Sequence, residues 1–213
     1  MNRPARSIEW LVWGALALTI AGIIVAFART RLQQAAFPDV ALPLSYPVPD
    51  FTLTNQNGEA VSLKDLRGQV WVADLIFTRC AGPCPRLTAQ MSQLQQALPA
   101  DLAVKLITLT TDPEYDSPAV LKRYGERFGA NAGRWMFLTG AREQIARLAV
   151  DGLKLVALEK KPAERQSPED LFIHSTLLVV VDAQGRLRVT FDSEDAAWKA
   201  HVLGAVKKLL REK

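Results

Sequence analysis

Cysteine and histidine are scarce in this chain, with two of each among 213 residues. Two cysteines make no disulfide scaffold, and none is needed. A chain of this length with 49% hydrophobic residues can bury a full core for one domain of ordinary size plus an appendage. An excess of one charge is lacking too. The formal net charge is +4, but Arg3, Arg6, Arg29 and Arg31 against Glu9 supply +3 of it, and beyond residue 31 there are 22 basic and 21 acidic residues. A nearly neutral globular part gives no electrostatic ground for a nucleic-acid partner. Internal repeats and a second core are absent as well.

Long apolar runs are missing with one exception. From Trp10 to Ala28 the chain is apolar apart from Thr19, and about 19 helical residues at about 1.5 Å each nearly span a hydrocarbon core of about 30 Å. Trp10 and Trp13 suit one membrane interface and Arg29 and Arg31 the other, while basic residues on both flanks leave the orientation undecided. Ala26-Phe27-Ala28 supplies a small-x-small cleavage pattern, but a secretory apolar region is usually about 7 to 15 residues. The reading is therefore an uncleaved anchor over residues 1–31, with the domain exported, most simply to a bacterial periplasm. Residues 32–49, with four prolines and no regular period, read as a flexible tether, and residues 50–213 as the domain.

The domain opens with a hairpin signal, Phe51 to Thr54 and Val61 to Leu63 around Asn57-Gly58. Val70 to Phe77 is bulky and apolar with one acid, Asp74, and reads as a central strand buried on both faces. Leu87, Met91, Leu94 and Leu98 recur at helical spacing from Pro85 until Pro99 stops the run. Strands at 104–109 and 135–138 alternate with helices at 118–128 and 142–150, which predicts a mainly parallel sheet. A polar stretch at 159–170 precedes a second hairpin, strands at 175–182 and 186–191, and an amphipathic helix at 196–210. The order is that of an α/β domain with an elaborated thioredoxin-like fold.

Both cysteines fall on the strand-to-helix turn, as Cys80-Ala81-Gly82-Pro83-Cys84-Pro85. Two thiols at that spacing can close a disulfide or grip a soft metal ion. Pro85 fits the first helical position, making Cys84 the N-cap, where the helix dipole favours thiolate. Thioredoxin-type reductants use Cys-x-x-Cys, and one more residue here widens the turn. Of the histidines, His201 reads as a solvated position on the last helix, and His174 opens what reads as a core strand, a place more often structural than ligating. A buried Asp74 could accept a proton in thiol exchange, but a strand-edge carboxylate satisfied by backbone groups is the preferred reading.

Several separated stretches together resemble the Sco/SenC family of membrane-anchored copper chaperones. They are Pro49-Asp50-Phe51-Thr52-Leu53 with Asn57-Gly58; Phe77-Thr78-Arg79-Cys80 through Cys84-Pro85; Thr111-Asp112-Pro113-Glu114-Tyr115-Asp116-Ser117-Pro118; Trp135 to Gly140; and His174-Ser175 with Val181-Asp182. The resemblance implies one copper ion, as copper(I) or copper(II), held by Cys80, Cys84 and His174. It implies delivery of that copper to the binuclear copper centre of cytochrome c oxidase, or reduction of the cysteines there. The partners implied are the copper-bearing oxidase subunit and a periplasmic copper carrier or thiol reductant. The location implied is the bacterial inner membrane, single-pass, with the domain facing the periplasm. Both jobs call for exposed, exchangeable cysteines. This sequence departs from many members in carrying Ile173 before the histidine and an apolar loop interior, Ala81-Gly82-Pro83. Asp112 and Asp116 read equally as residues tuning the site or as caps of turns beside Pro113 and Pro118.

Two competing functions remain at this point. A thiol-disulfide oxidoreductase would use Cys80 to attack and Cys84 to resolve, with no dependence on His174. A static disulfide in an interaction module ranks last, since so short a closed loop stabilises little.

Overall fold

A computed structural model describes residues 5–35, 38–156, 160–161, 163 and 176–212. Two compact units divide at Pro38/Asp39. The first is helix α1 (Ala5–Ala35), whose window Trp10–Phe27 is long and apolar enough to cross a membrane, with a mean hydropathy of 2.2 and none of its residues buried.

In the second unit the described residues form an eight-stranded sheet. Its strands are β1 (Tyr46–Pro47), β2 (Thr52–Asn55), β3 (Ala60–Ser62), β4 (Val70–Ile76), β5 (Val104–Thr110), β6 (Trp135–Thr139), β7 (Leu177–Val181) and β8 (Arg186–Asp192). The order across the sheet is β1-β8-β7-β4-β5-β6-β2-β3. Only β4, β5 and β6 run parallel to one another, and the other neighbouring pairs are antiparallel. The sequence reading of a mainly parallel sheet holds for this centre alone, because each hairpin adds two antiparallel strands at an edge. The N-terminal hairpin β2–β3 attaches beside β6, and the late hairpin β7–β8 beside β4.

Strand β4 is central, and all seven of its residues are buried. Its side chains alternate between two layers, as the two-residue period of a strand requires. Val70, Val72 and Ile76 face the layer of helices α3 (Cys84–Ala97), α4 (Pro118–Arg127) and α6 (Trp198–Leu209), and Trp71, Ala73 and Leu75 face the other. In that first layer Leu87, Met91 and Leu94 of α3 meet Val202, Ala205, Val206 and Leu209 of α6. Each of the Leu, Met and Val side chains contributes roughly 1.5–3 kcal/mol by leaving water. The second layer holds the short helix α2 (Leu63–Leu66) and α5 (Arg142–Ala146), which runs on as a π-helical segment, Arg147–Gly152.

Residues 39–49 do not hang free, contrary to their reading as tether. Val40 and Leu42 pack on the first layer, and Leu44 on the second. Tyr46–Pro47 pairs with β8 at the sheet edge, where a proline costs no ladder bond. Lys208 donates to Asp39 and to the Val40 carbonyl, and Arg188 to the Leu44 carbonyl. The prolines signalled irregular backbone, but the apolar residues between them supply enough burial to fix it.

Candidate functional site

Parallel strands share one carboxyl edge, so the segments leaving β4 and β5 come together there. From β4 the chain runs through Phe77, Thr78 and Arg79 to Cys80; from β5 it runs through residues 111–117 to α4. The Thr111 N–H donates to the Ile76 carbonyl at 2.8 Å, tying the two exits.

Cys80 donates its backbone N–H to the Phe77 carbonyl at 3.2 Å, closing a turn. Cys84 is the first residue of α3. The Pro83 carbonyl accepts the Leu87 N–H at 3.0 Å, so the helix opens one residue earlier than the sequence reading placed it, with Cys84 inside the first turn rather than capping it. The Cys80 sulfur accepts the Gly82 N–H at 3.4 Å, and the Cys84 thiol hydrogen-bonds with the Cys80 side chain. Both cysteines are free thiols.

Neither sulfur is at the surface: Cys80 is 5% and Cys84 4% exposed. The sequence reading required exposure, but the turn folds inward, so that both side chains join the core of the α3 layer while Ala81 and Gly82 remain outside. The Cys84 thiol is pushed well above the ordinary thiol range, first by its hydrogen bond with Cys80, then by burial and by the negative charge Cys80 would carry. A helix terminus is worth about 0.3–1 kcal/mol, less than the burial of a charge costs. Burial wins, and Cys84 rests as a thiol.

Asp74 lies on the same face of β4 as Val72 and Ile76, toward the cysteine layer. It is completely buried, and neither carboxylate oxygen has a hydrogen-bond partner of ordinary geometry. Burial raises its pKa from 3.8 to about 7, an effect only partly offset by Thr108, its neighbour across β5. The reading of a strand-edge carboxylate satisfied by backbone is therefore corrected: β4 is central, and its backbone groups are taken up by β5 and β7. Thr108 is itself held, accepting the Trp135 indole N–H at 2.9 Å.

A second polar chain starts at the helix. The Thr88 hydroxyl donates to the Cys84 carbonyl at 2.9 Å and meets the Tyr124 hydroxyl at 3.1 Å. It fixes the first turn of α3 against α4.

Asp112 and Asp116 prove to be braces of the cysteine turn. Asp116 is buried, accepts the Thr78 N–H at 3.1 Å, and takes hydrogen bonds from the hydroxyls of Thr78 and Thr110. Burial raises its pKa against the pull of those donors. Asp112 accepts both Nε (3.2 Å) and Nη2 (2.6 Å) of Arg79, the residue before Cys80. The Arg79 guanidinium also lies 4.2 Å from the Tyr115 ring centre. Replacing Asp116 by alanine strands three donors. The Asp116→Ala protein is expected to lose about 3 kcal/mol of stability in urea unfolding. A loss below about 1 kcal/mol would show that the brace is dispensable.

Among the described residues no group of three or more His, Cys, Asp or Glu side chains is placed to hold a metal ion. His174 lies outside the described residues. His201 sits on α6 as read, half-buried, with Nδ1 3.3 Å from Asp195 and its ring stacked near Phe191. The sequence reading missed the bracing roles of Thr78, Arg79, Thr88, Thr110 and Tyr124. Their partners lie up to 38 residues away, and only the shared carboxyl edge of β4 and β5 could have suggested the pairing.

Comparison with known proteins gives concordant matches. The family model SCO1/SenC matches residues 44–211. The SCO1 protein homolog of Bacillus subtilis (strain 168) is 40% identical over 147 residues, covering 68% of this chain and 73% of that protein. The solved structure of BsSco, a member of the Sco family of cytochrome c oxidase assembly proteins with a disulfide switch, matches with a TM-score of 0.69 and 34% identity, covering 83% of this chain and 100% of that one. ScoI of Bradyrhizobium japonicum, solved with copper bound, matches with a TM-score of 0.64 and 27% identity over 76% of this chain and 99% of that one.

Proposed function

This chain belongs to the SCO1/SenC family, and we propose that it is a membrane-anchored protein that binds one copper ion through Cys80, Cys84 and His174 and serves assembly of the copper centre of cytochrome c oxidase. The observation that carries this reading is the meeting of the two thiols, one hydrogen-bonded to the other, at the start of α3. Two adjacent sulfur donors fit copper(I), a soft ion that favours low coordination numbers, and an imidazole nitrogen adds the ligand that copper(II) favours. Copper here is cargo. Loading displaces the thiol protons, and the Gly82 N–H already directed at the Cys80 sulfur offsets charge on the resulting thiolate.

The copper-bearing oxidase subunit is the client in this reading. A periplasmic copper carrier or thiol reductant stands upstream, and α1 anchors the domain on the periplasmic side of the inner membrane. The His174→Ala protein is expected to hold copper(II) at least about 10-fold more weakly, with an altered absorption spectrum. Unchanged affinity and spectrum would remove His174 from the site.

Thiol-disulfide exchange is the second reading, favoured by the same two free thiols. Cys80 and Cys84 would pass two electrons and two protons to a partner disulfide and close their own S–S bond. Turnover of a disulfide substrate that is indifferent to His174→Ala separates this reading from the first.

A further inference from the structure

The clasp beside Cys80 has an outer side that the bracing role leaves unused. Arg79 is 41% exposed in its side chain, and Tyr115, whose ring it covers, is 48% exposed. Asp112 is nearly buried beneath them and takes Nε and Nη2 through a single oxygen, Oδ2. That leaves Nη1 without a hydrogen-bond partner among the described residues. The two neighbouring surface arginines are ion-paired as well, Arg86 with Glu194 and Arg142 with Glu114. The loop between the cysteines exposes Ala81 and Gly82, whose small side chains put no bulk in the way of an approaching backbone.

We propose that Arg79, held over Tyr115, is the recognition contact for an acidic side chain on the protein that exchanges copper with Cys80 and Cys84, and so selects partners whose thiols are flanked by carboxylates. This inference rests on the copper reading above. Arginine presents a planar fork that matches a carboxylate, and Arg and Tyr are the residue types that concentrate binding energy at protein interfaces. Asp112 and Tyr115 fix the guanidinium in advance, so little side-chain freedom is lost on docking. Cys80 follows Arg79 directly and Cys84 lies five residues on, so a partner anchored there reaches the 80–84 loop without crossing other charged side chains of the turn.

The test uses the full chain in detergent, loaded with copper(I), and two synthetic Cys-x-x-x-Cys peptides that differ only in flanking aspartates or lysines. The rate of copper transfer to each is measured by stopped flow. At low ionic strength the wild-type protein is expected to prefer the acidic peptide by about five-fold, with the preference collapsing in about 0.5 M salt. Arg79→Gln is expected to erase the preference and Arg79→Glu to invert it. Because each protein is judged by its own acidic-to-basic ratio, a general loss of rate in a variant does not alter the outcome. Equal rates to both peptides from loaded wild-type protein, or a ratio unchanged in Arg79→Glu, would overturn the docking role. Failure of the wild-type chain to load copper(I) at all would instead overturn the copper reading.

Discussion

Replacing either cysteine by serine is expected to weaken copper(I) binding by more than about 100-fold. A hydroxyl is a hard donor that stays protonated at neutral pH, so the exchange removes a soft ligand and leaves a group that does not replace it. Anaerobic copper(I) titration against a competing chelator, with wild type, Cys80→Ser and Cys84→Ser in parallel, reads the loss directly. Retention of one tightly bound copper in both variants would sink the two-thiolate site. Retention in one alone would reassign the ligand role to the other.

The second large effect concerns Asp74 and appears as a pH dependence of stability. In the folded protein its carboxyl titrates at about 7 against an ordinary 3.8. Below about pH 4 the group is neutral in folded and unfolded chains alike and carries no penalty. As the pH rises from there, the unfolded chain ionises first, which favours unfolding. The cost grows until the folded group also ionises near pH 7, and then levels off at about 4 kcal/mol. The Asp74→Asn domain lacks that slope, although its amide carries a pH-independent cost of its own. Urea unfolding of reduced, metal-free protein at intervals from pH 4 to pH 8 is expected to show the stability of Asp74→Asn rising relative to wild type by about this amount. A difference that stays constant across the range would mean that Asp74 has a partner or a water that holds it near its ordinary range.

What made the centre of this fold legible was its agreement of pattern with period. Val70 to Ile76 is apolar but for Asp74 because both of its faces are buried, and Leu87, Met91 and Leu94 fall on one stripe because α3 packs on a single layer. The cysteine turn could be placed because a strand signal ended just before it and a helix signal began just after. Four features were hidden. Both hairpins carried their own signals, but that they join the parallel strands in one sheet and make most of its pairings antiparallel was missed, because no local pattern says which strand a hairpin pairs with. The docking of residues 39–49 was missed because spaced apolar residues among prolines carry no period, yet Val40, Leu42 and Leu44 still bury themselves. The depth of the cysteines was missed because an Ala-Gly-Pro interior says how tightly a loop can turn and nothing of which way it faces. The pairing of Arg79 with Asp112 spans 33 residues and has no local signal.

Sulfur burial turns the site into a gated reactor. With both cysteines at or below 5% exposure, transfer would require a motion that bares sulfur, and each rate would then be an intrinsic rate multiplied by the open fraction. When a partner is dilute its transfer rate rises with concentration, and when it is abundant the rate reaches a ceiling set by loop opening alone. A partner that binds the open loop more tightly than the closed one raises that fraction as it docks. Selectivity can then be exercised before any sulfur is exposed, and stray oxidants meet a closed door.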